Sequence, residues 1–236
     1  MRSKKWLEIW EKKGSCKNEE QHVIDGWDLN SEEEYRKIAY SCLLGSEHIL
    51  SQSNLKMVEL GCGAGAFISA LKSKFPDAQI EGSDYSSSLI KAAQTKTNGV
   101  HFSVLDMNSS LSHWQKTLSS KTYDVIFSFG TFLYLSSKDE VIQVLHKMNS
   151  MLSQGGLIIL GEINDSELKK ESSAIREEAF KDRKEKSSNE EVDHLYISRQ
   201  LFKDFTTEAG LELKFLSLPS WYPASRYRYH VVIRKR

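Results

Sequence analysis

Five short apolar runs, at residues 55–60, 79–83, 100–105, 123–129 and 157–163, alternate with stretches of helical periodicity. That alternation leaves few folds open. Runs this apolar have no polar face to turn to water, so they read as strands covered on both sides, and strands separated by helices run parallel. The helical stretches carry their own punctuation. Ser31-Glu-Glu-Glu34 and Ser137-Lys-Asp-Glu140 are capping boxes. Tyr35, Ile38, Ala39, Cys42, Leu43, Ile49 and Leu50 follow the first box near helical spacing over 31–50, with one gap at Ser46. Val141, Ile142, Leu145, Met148 and Leu152 follow the second, and Gly155-Gly156 is expected to end that helix. A helix from Ala66 presents Phe67, Ile68, Leu71 and Phe75 on one face and stops at Pro76, and a shorter one covers 87–96.

Beyond residue 163 the pattern changes. Residues 164–194 are charged and helix-prone, with few apolar anchors. They fit either a solvated helix with a loop or a lid over a substrate pocket. A further helix, 198–209, ends at Gly210. The final runs LELKFLSL and YHVVIRKR are linked too closely for a helical crossover, so they predict an antiparallel hairpin. The chain therefore reads as a single α/β domain over 1–236: an N-terminal helical segment 1–50, a ligand-binding core 51–163, a helical insert 164–210 and a C-terminal β-hairpin 211–236.

Met57 to Phe67 reads MVELGCGAGAF, an apolar strand running straight into three alternating glycines. In an open α/β sheet, ligands bind beyond the carboxyl ends of the strands, and this turn lies there. Gly61, Gly63 and Gly65 let the backbone bend sharply and come close to a ligand. The helix that follows offers free N–H groups and a partial positive charge. Such a turn suits a pyrophosphate or a carboxylate. Gly61-x-Gly63-x-x-Ala66 also satisfies the dinucleotide fingerprint, with Asp84 near the expected acid. Three features tilt the balance away from a dinucleotide. Glu59, inside the strand before the turn, suits a ligand ammonium and not a pyrophosphate. Asp106-Met107 ends the third strand with another acid and a soft apolar side chain. The terminal hairpin is foreign to the usual dinucleotide-binding sheet.

Composition narrows the partners. The chain has 236 residues, and its 32 basic side chains balance 32 acidic ones, so no global field steers it to nucleic acid or to an acidic membrane. No apolar run approaches the roughly 18 residues of a membrane span. MRSKKWLEIWEKKG at the start lacks the apolar centre of a secretory signal. Cys16, Cys42 and Cys62 have neither paired nor metal-ligand spacing, which points to reduced thiols in the cytoplasm and to no metal.

The pieces VELGCGAG, IEGSDYS, VLDMN, YDVIFSFGTFLYL and LSQGGLIILGE occur in an order that resembles the class I S-adenosylmethionine-dependent methyltransferases. The resemblance covers about Leu55 to Ile163 and the final hairpin. It implies a seven-stranded, mostly parallel sheet with helices on both faces and an antiparallel last strand. It implies S-adenosyl-L-methionine as cofactor. Gly61, Cys62, Gly63 and Gly65 would pass its methionine part, with Glu59 near the amino group. Asp84 would accept from both ribose hydroxyls, with Tyr85 and Ser86 beside it. Asp106 would meet the adenine amino group and Met107 the ring. Ser128, Phe129 and Gly130 would line the cofactor and face the acceptor.

The acceptor side is read more loosely. Methyl transfer from a sulfonium needs nucleophile, methyl and sulfur aligned, and an O or N nucleophile often gives its proton to a base. His194, in Asp193-His-Leu-Tyr196, and Glu162, at the end of the fifth strand, are the candidate catalytic groups. Tyr134, Tyr196, Tyr222 and Arg226 are candidate substrate contacts, the last two from the aromatic and arginine-rich loop LPSWYPASRYRYH. Trp6 and Trp10 form an i, i+4 pair on a helix that either folds over the cofactor or staples itself to the core. Ser128-Phe-Gly-Thr131 lacks the acidic or amide residue and prolines of DNA base-amino methyltransferases, and no basic stripe marks an RNA surface. The WEKKG start and the HLYIS and WYPASRYRYHVVI segments resemble small bacterial methyltransferases, some of which act on sugars. The expectation is methyl transfer to an O or N atom of a small molecule, with a sugar or nucleotide-linked sugar as the named class. Two other readings stay open: a non-catalytic S-adenosylmethionine-binding module or partner subunit, and an NAD-dependent dehydrogenase.

Overall fold

The computed structural model describes residues 2–16, 19–27, 29–181 and 194–236. Its centre is one seven-stranded sheet. The strands are β1 Lys56–Leu60, β2 Gln79–Asp84, β3 His101–Val104, β4 Tyr123–Phe129, β5 Leu152–Asn164, β6 Glu212–Ser217 and β7 Arg228–Arg234. They lie in the order β3-β2-β1-β4-β5-β7-β6. β1 to β5 pair in parallel, and β7 enters antiparallel between β5 and β6. This is the sheet expected from the order of apolar runs, hairpin included. The strand order reverses between β1 and β4, so the crevice beyond their carboxyl ends is open to a ligand.

The sheet is covered on both faces because its strands are apolar on both. Met57, Phe127 and Ile159 point to one core with Phe67 and Ile68 of α5 (Ala66–Lys74) and with Ile38 and Ala39 of α3 (Glu32–Ser41). Val58, Ile126 and Ile158, one residue along in each strand, point to the other with Val141 and Leu145 of α8 (Lys138–Ser150). Both capping boxes form: the hydroxyls of Ser31 and Ser137 accept from the N–H groups of Glu34 and Glu140. α10 (Arg199–Ala209) ends on left-handed Gly210, as its sequence predicts.

Three local expectations are corrected. The helix predicted over 31–50 is two: α3 stops at Ser41, Gly45 turns with a positive φ of 76°, and α4 is only Glu47–Leu50. Gly155-Gly156 does not end the helix of the second capping box. α8 has already stopped at Ser150, Leu152 starts β5, and the glycines form a bulge where the β4–β5 register slips between Tyr123 and Val125. A helix unforeseen in the sequence, α7 (Leu111–Thr117), is capped by Ser110 and held by buried Trp114.

The proposed lid lies partly outside the described residues. The described part of the charged stretch 164–194 includes α9, Lys169–Lys181, tied back by Glu171 to Arg226 at 2.8 Å. At the other end of the chain, α1 (Arg2–Gly14) lies against α6 (Ser87–Lys96), where Glu11 takes hydrogen bonds from the Ser87 N–H at 2.7 Å and from the Ser88 hydroxyl. α2 (Gln21–Ile24) is only one turn long.

Phe127 is fully buried at the middle of β4, edge-on to Phe67 at 5.3 Å. Phe127→Ala is expected to cost about 3–5 kcal/mol of unfolding free energy, because the parallel strands around it have little freedom to collapse into the void. Urea titration followed by circular dichroism measures this, and a loss below about 1 kcal/mol would show that the sheet centre is not the rigid base of the site.

Candidate functional site

The crevice at the strand ends is a concave cleft with mostly apolar walls and a few converging polar groups, the usual character of a small-molecule site. Its floor is the turn after β1. Gly61 and Cys62 donate to the Ser83 carbonyl at 2.7 and 2.9 Å, folding the turn onto β2, and Gly65 starts α5 in the left-handed region with φ 88°. Two glycines are required by close approach. A Cβ on Gly61 would lie 2.3 Å from Cγ2 of Thr131, and one on Gly63 would lie 2.2 Å from Oδ1 of Asp25. Both also have positive φ, 78° and 55°.

Carboxylates ring this floor. Asp84, at the end of β2, accepts from the Gly63 N–H at 3.1 Å and the Ser86 N–H at 2.9 Å. Burial raises its pKa to about 6, against the pull of those amides. Glu59 is 2% exposed, and its Oε2 has no hydrogen-bond partner among the described residues. Burial pushes its pKa well above the carboxylate range, and the negative charges of Asp25 and Asp84 push the same way. Asp106 is exposed after β3 and Met107 lies beside it at the cleft wall. Lys147 of α8 holds that loop by donating to the carbonyls of Met107 and Ser109. A buried acceptor without a donor is costly unless a ligand supplies one. The set fits an amino-acid nucleoside: Glu59 for an ammonium, Asp84 for vicinal hydroxyls, Asp106 and Met107 for a base.

The structure brings Glu59, Gly61, Cys62, Gly63, Asp84 and Tyr85 together on the cleft wall, with Asp106, Met107, Phe129, Gly130 and Tyr134. The remaining candidates stand elsewhere. Gly65 and Ser86 start the helices behind the wall, and the Ser128 hydroxyl ties β4 to the Leu60 carbonyl at 2.8 Å. Tyr196 shares a hydrogen bond with Ser172 at 2.7 Å, and Arg226 is exposed against Glu171. Tyr222 packs behind the wall on Trp27, their ring centres 6.0 Å apart. His194 stacks on Trp6 at 5.2 Å and lies edge-on to Tyr134 at 5.4 Å, with Arg176 3.2 Å from its Nδ1. Glu162 is fully buried, has a positive φ of 64°, and pairs with Arg228 at 2.5 Å. Its N–H donates to Nδ1 of His230, leaving Nε2 to donate to Ser41. Burial drives the His230 pKa down to about 3, so that ring is neutral.

Part of the wall comes from the N-terminal segment. Trp6, Trp10 and Trp27 line it, so the helix of the tryptophan pair folds over the cleft. Asp25 lines it too, and was not anticipated. The one signal for it is an acid between two apolar residues and a Gly-Trp pair, outside any periodic stretch. Asp25 accepts from the N–H of Ala64 at 2.5 Å and of Ala66 at 3.1 Å. Gln21 fixes the same segment by donating to the Ala64 carbonyl at 2.6 Å and to Thr97 at 2.9 Å. The amides that the sequence offered to a ligand anion are thus already occupied by a side chain. A diphosphate there would face Asp25, Glu59 and Asp84, which argues against a dinucleotide.

Removing one partner of the buried Glu162–Arg228 pair should reveal its role. Arg228→Met is expected to destabilise the fold by about 3–5 kcal/mol, and Glu162→Gln combined with it to restore most of the loss. Chemical denaturation of the single and double variants tests this; equal loss in both would mean that the unpaired charge is not what costs stability.

Among the described residues no helix is long and apolar enough to cross a membrane, and no group of three or more His, Cys, Asp or Glu side chains is disposed to hold a metal ion. A methyltransferase-domain family model matches residues 51–210. A malonyl-acyl-carrier-protein O-methyltransferase from Bacillus cereus is 27% identical over 176 residues, covering 74% of this chain and 62% of the relative. Its namesake from Bacillus anthracis is 34% identical over 113 residues, covering 47% and 39%. The chain thus spans about two fifths to three fifths of the length of these curated relatives. Among solved structures, the magnesium protoporphyrin IX methyltransferase from Synechocystis with bound S-adenosylhomocysteine superposes with a TM-score of 0.65 at 12% identity over the whole of both chains. An N-methyltransferase from Bradyrhizobium japonicum, also with S-adenosylhomocysteine, gives 0.62 at 17% identity over 97% of each. Sheet order, glycine turn and family match agree: the chain belongs to the class I S-adenosylmethionine-dependent methyltransferases.

Proposed function

We propose that this chain transfers a methyl group from S-adenosylmethionine to an oxygen or nitrogen atom of a small molecule. The observation that carries the reading is the ring of carboxylates at the ends of β1, β2 and β3, with a Glu59 oxygen that has no donor among the described residues. When bound, S-adenosylmethionine supplies a methyl on a positively charged sulfur with a neutral leaving group. The residues of the chain do the rest. Glu59 takes the ammonium, Asp84 the ribose hydroxyls, and Asp106 with Met107 the adenine. Phe129, stacked between Phe67 at 4.7 Å and Trp27 at 5.4 Å, is held rigidly where the acceptor must approach. Fixed walls of this kind lower the barrier by alignment. His194, against Tyr134, is the candidate group to take the acceptor's proton.

Trp27 and Tyr134 give the acceptor side flat apolar faces, which support a ring-shaped acceptor such as a sugar or nucleotide-linked sugar. The Bacillus relatives are named as malonyl-acyl-carrier-protein O-methyltransferases, so a malonyl-loaded carrier protein is the comparison to run. Methyl transfer is measured with nucleotide-linked sugars and with malonyl-loaded carrier protein side by side. Turnover on the carrier protein alone would replace the sugar reading.

Asp84→Asn keeps the shape of the side chain while weakening its acceptance from hydroxyls. Affinity for S-adenosylhomocysteine, read by calorimetry, is expected to fall by about 1.5–3 kcal/mol. Unchanged affinity would remove Asp84 from the site. His194→Ala should slow turnover and leave that affinity intact; an unaltered rate would make the ring structural.

A further inference from the structure

The glycine turn presents its helix-start amides to the cleft, yet Asp25 fills them. Its two oxygens receive the Ala64 and Ala66 N–H groups at 2.5 and 3.1 Å. The side chain remains half-buried at the cleft wall, beside the turn that passes Glu59 and Gly63. The cleft lining among the described residues includes Asp25, Glu59, Asp84 and Asp106 and no lysine, arginine or histidine. The Oε2 of Glu59 is buried with no donor among the described residues. An amino acid entering this end has one positive and one negative group to place. The amides that would hold its carboxylate are taken, and the nearest polar side chains are carboxyl groups with no cation among them. The ammonium is therefore the group this end can accept, and the carboxylate must point away.

We propose that Asp25 is a further positioning residue of the cofactor site, which orients the amino-acid end of the bound nucleoside with its ammonium toward the glycine turn by occupying the α5 amides and adding its charge to that of Glu59. The inference rests on the S-adenosylmethionine reading above. It also gives the N-terminal segment a part in the site, because Asp25 is supplied by the residues that Gln21 bolts to Ala64 and Thr97.

Asp25 titrates in a useful range. Burial lifts its pKa to about 7, opposed by the Ala64 and Ala66 amides, raised further by Asp84 and lowered by Lys13. Its charged neighbours come from every element packed around it. Lys13 is on α1, Glu59 on β1 and Asp84 on β2, while Tyr35 of α3 and Tyr134 also feel its charge. Above about 7 the carboxylate is charged and attracts an ammonium; below it the attraction is lost.

The test compares two nucleosides by calorimetry: S-adenosylhomocysteine, and 5′-methylthioadenosine, which lacks the amino-acid end. Asp25→Asn is expected to weaken S-adenosylhomocysteine about tenfold and leave methylthioadenosine within about twofold. In the unaltered protein the preference for S-adenosylhomocysteine should shrink severalfold as pH falls from about 8 to about 5.5, and in the variant it should be flatter. Asp84 meets the ribose of both ligands and so drops out of the ratio. Asp25→Ser, whose hydroxyl can still cap α5, serves if the asparagine variant does not fold. Equal weakening of both nucleosides would show that Asp25 only shapes the turn, and an unchanged preference for S-adenosylhomocysteine would overturn the proposal outright. Failure of the unaltered protein to bind either nucleoside would instead overturn the cofactor assignment beneath it.

Discussion

A close approach of backbone to side chains governs the site. Between β1 and α5 the backbone passes so near Thr131 on one side and Asp25 on the other that neither Gly61 nor Gly63 has room for a Cβ. Everything else in the cleft is arranged around that pinch. The Ser83 carbonyl holds the turn to β2, which carries Asp84 to within hydrogen-bond reach of Gly63. Thr131, just past β4, bonds the Gly61 carbonyl at 3.0 Å and fixes the start of the segment that ends at Tyr134. Three strands that pair in parallel thus deliver their polar ends to one place because their apolar stretches fix the register: Glu59 pairs across to Gly82 and to Phe127. A slip of one residue in β1 or β2 would turn its acid away from the cleft.

The electrostatics follow from this crowding. Carboxylates drawn together in a half-dry cleft raise one another's pKa and are individually costly. Asp25 and Asp84 are offset by backbone amides, while the Oε2 of Glu59 has no donor among the described residues. Such an arrangement is poor for stability and suited to a ligand that brings positive charge and hydroxyl donors. It is also why the same glycine spacing that fits a dinucleotide fingerprint does not imply one here: the fingerprint describes the bend, and the side chains around the bend determine the charge it can receive.

That distinction separates what the sequence made legible from what it did not. The strands, their order and the antiparallel hairpin follow from apolar runs and capping boxes, which are local signals with a fixed period. The placement of Glu59, Asp84 and Asp106 at the cleft was legible because each stands in the last residues of a strand or just past it. Asp25 and Trp27 lie in a segment with one short helical turn and no sustained period, so their place is set by tertiary contacts, such as Gln21 with Ala64, that no spacing announces. Trp6 and Trp10 were legible as an i, i+4 pair on a helix, which α1 is, and tertiary contacts decide that this helix covers the cleft. Glu162 shows the opposite failure. It stands near the end of the fifth strand, which runs on to Asn164, and a bulge between Leu160 and Ile163 with a left-handed backbone turns it onto Arg228; neither feature has a sequence signal in a glutamate.

The N-terminal cover also bears on how the site is completed. Glu11 takes amide and hydroxyl donors at the start of α6, and Asp25 does the same at the start of α5. Two acids from one segment therefore satisfy the free N–H groups of the two helices that leave the ligand-binding strands. Those helix ends would be solvent-facing in a bare sheet-and-helix core. Covering them with Trp6 and Trp10 requires that their amides find partners within the protein, and side-chain carboxylates are partners that leave the ligand's own anionic group without a competing site. Enclosure of the cleft and selection of charge are in this way consequences of one structural requirement, the capping of buried helix starts.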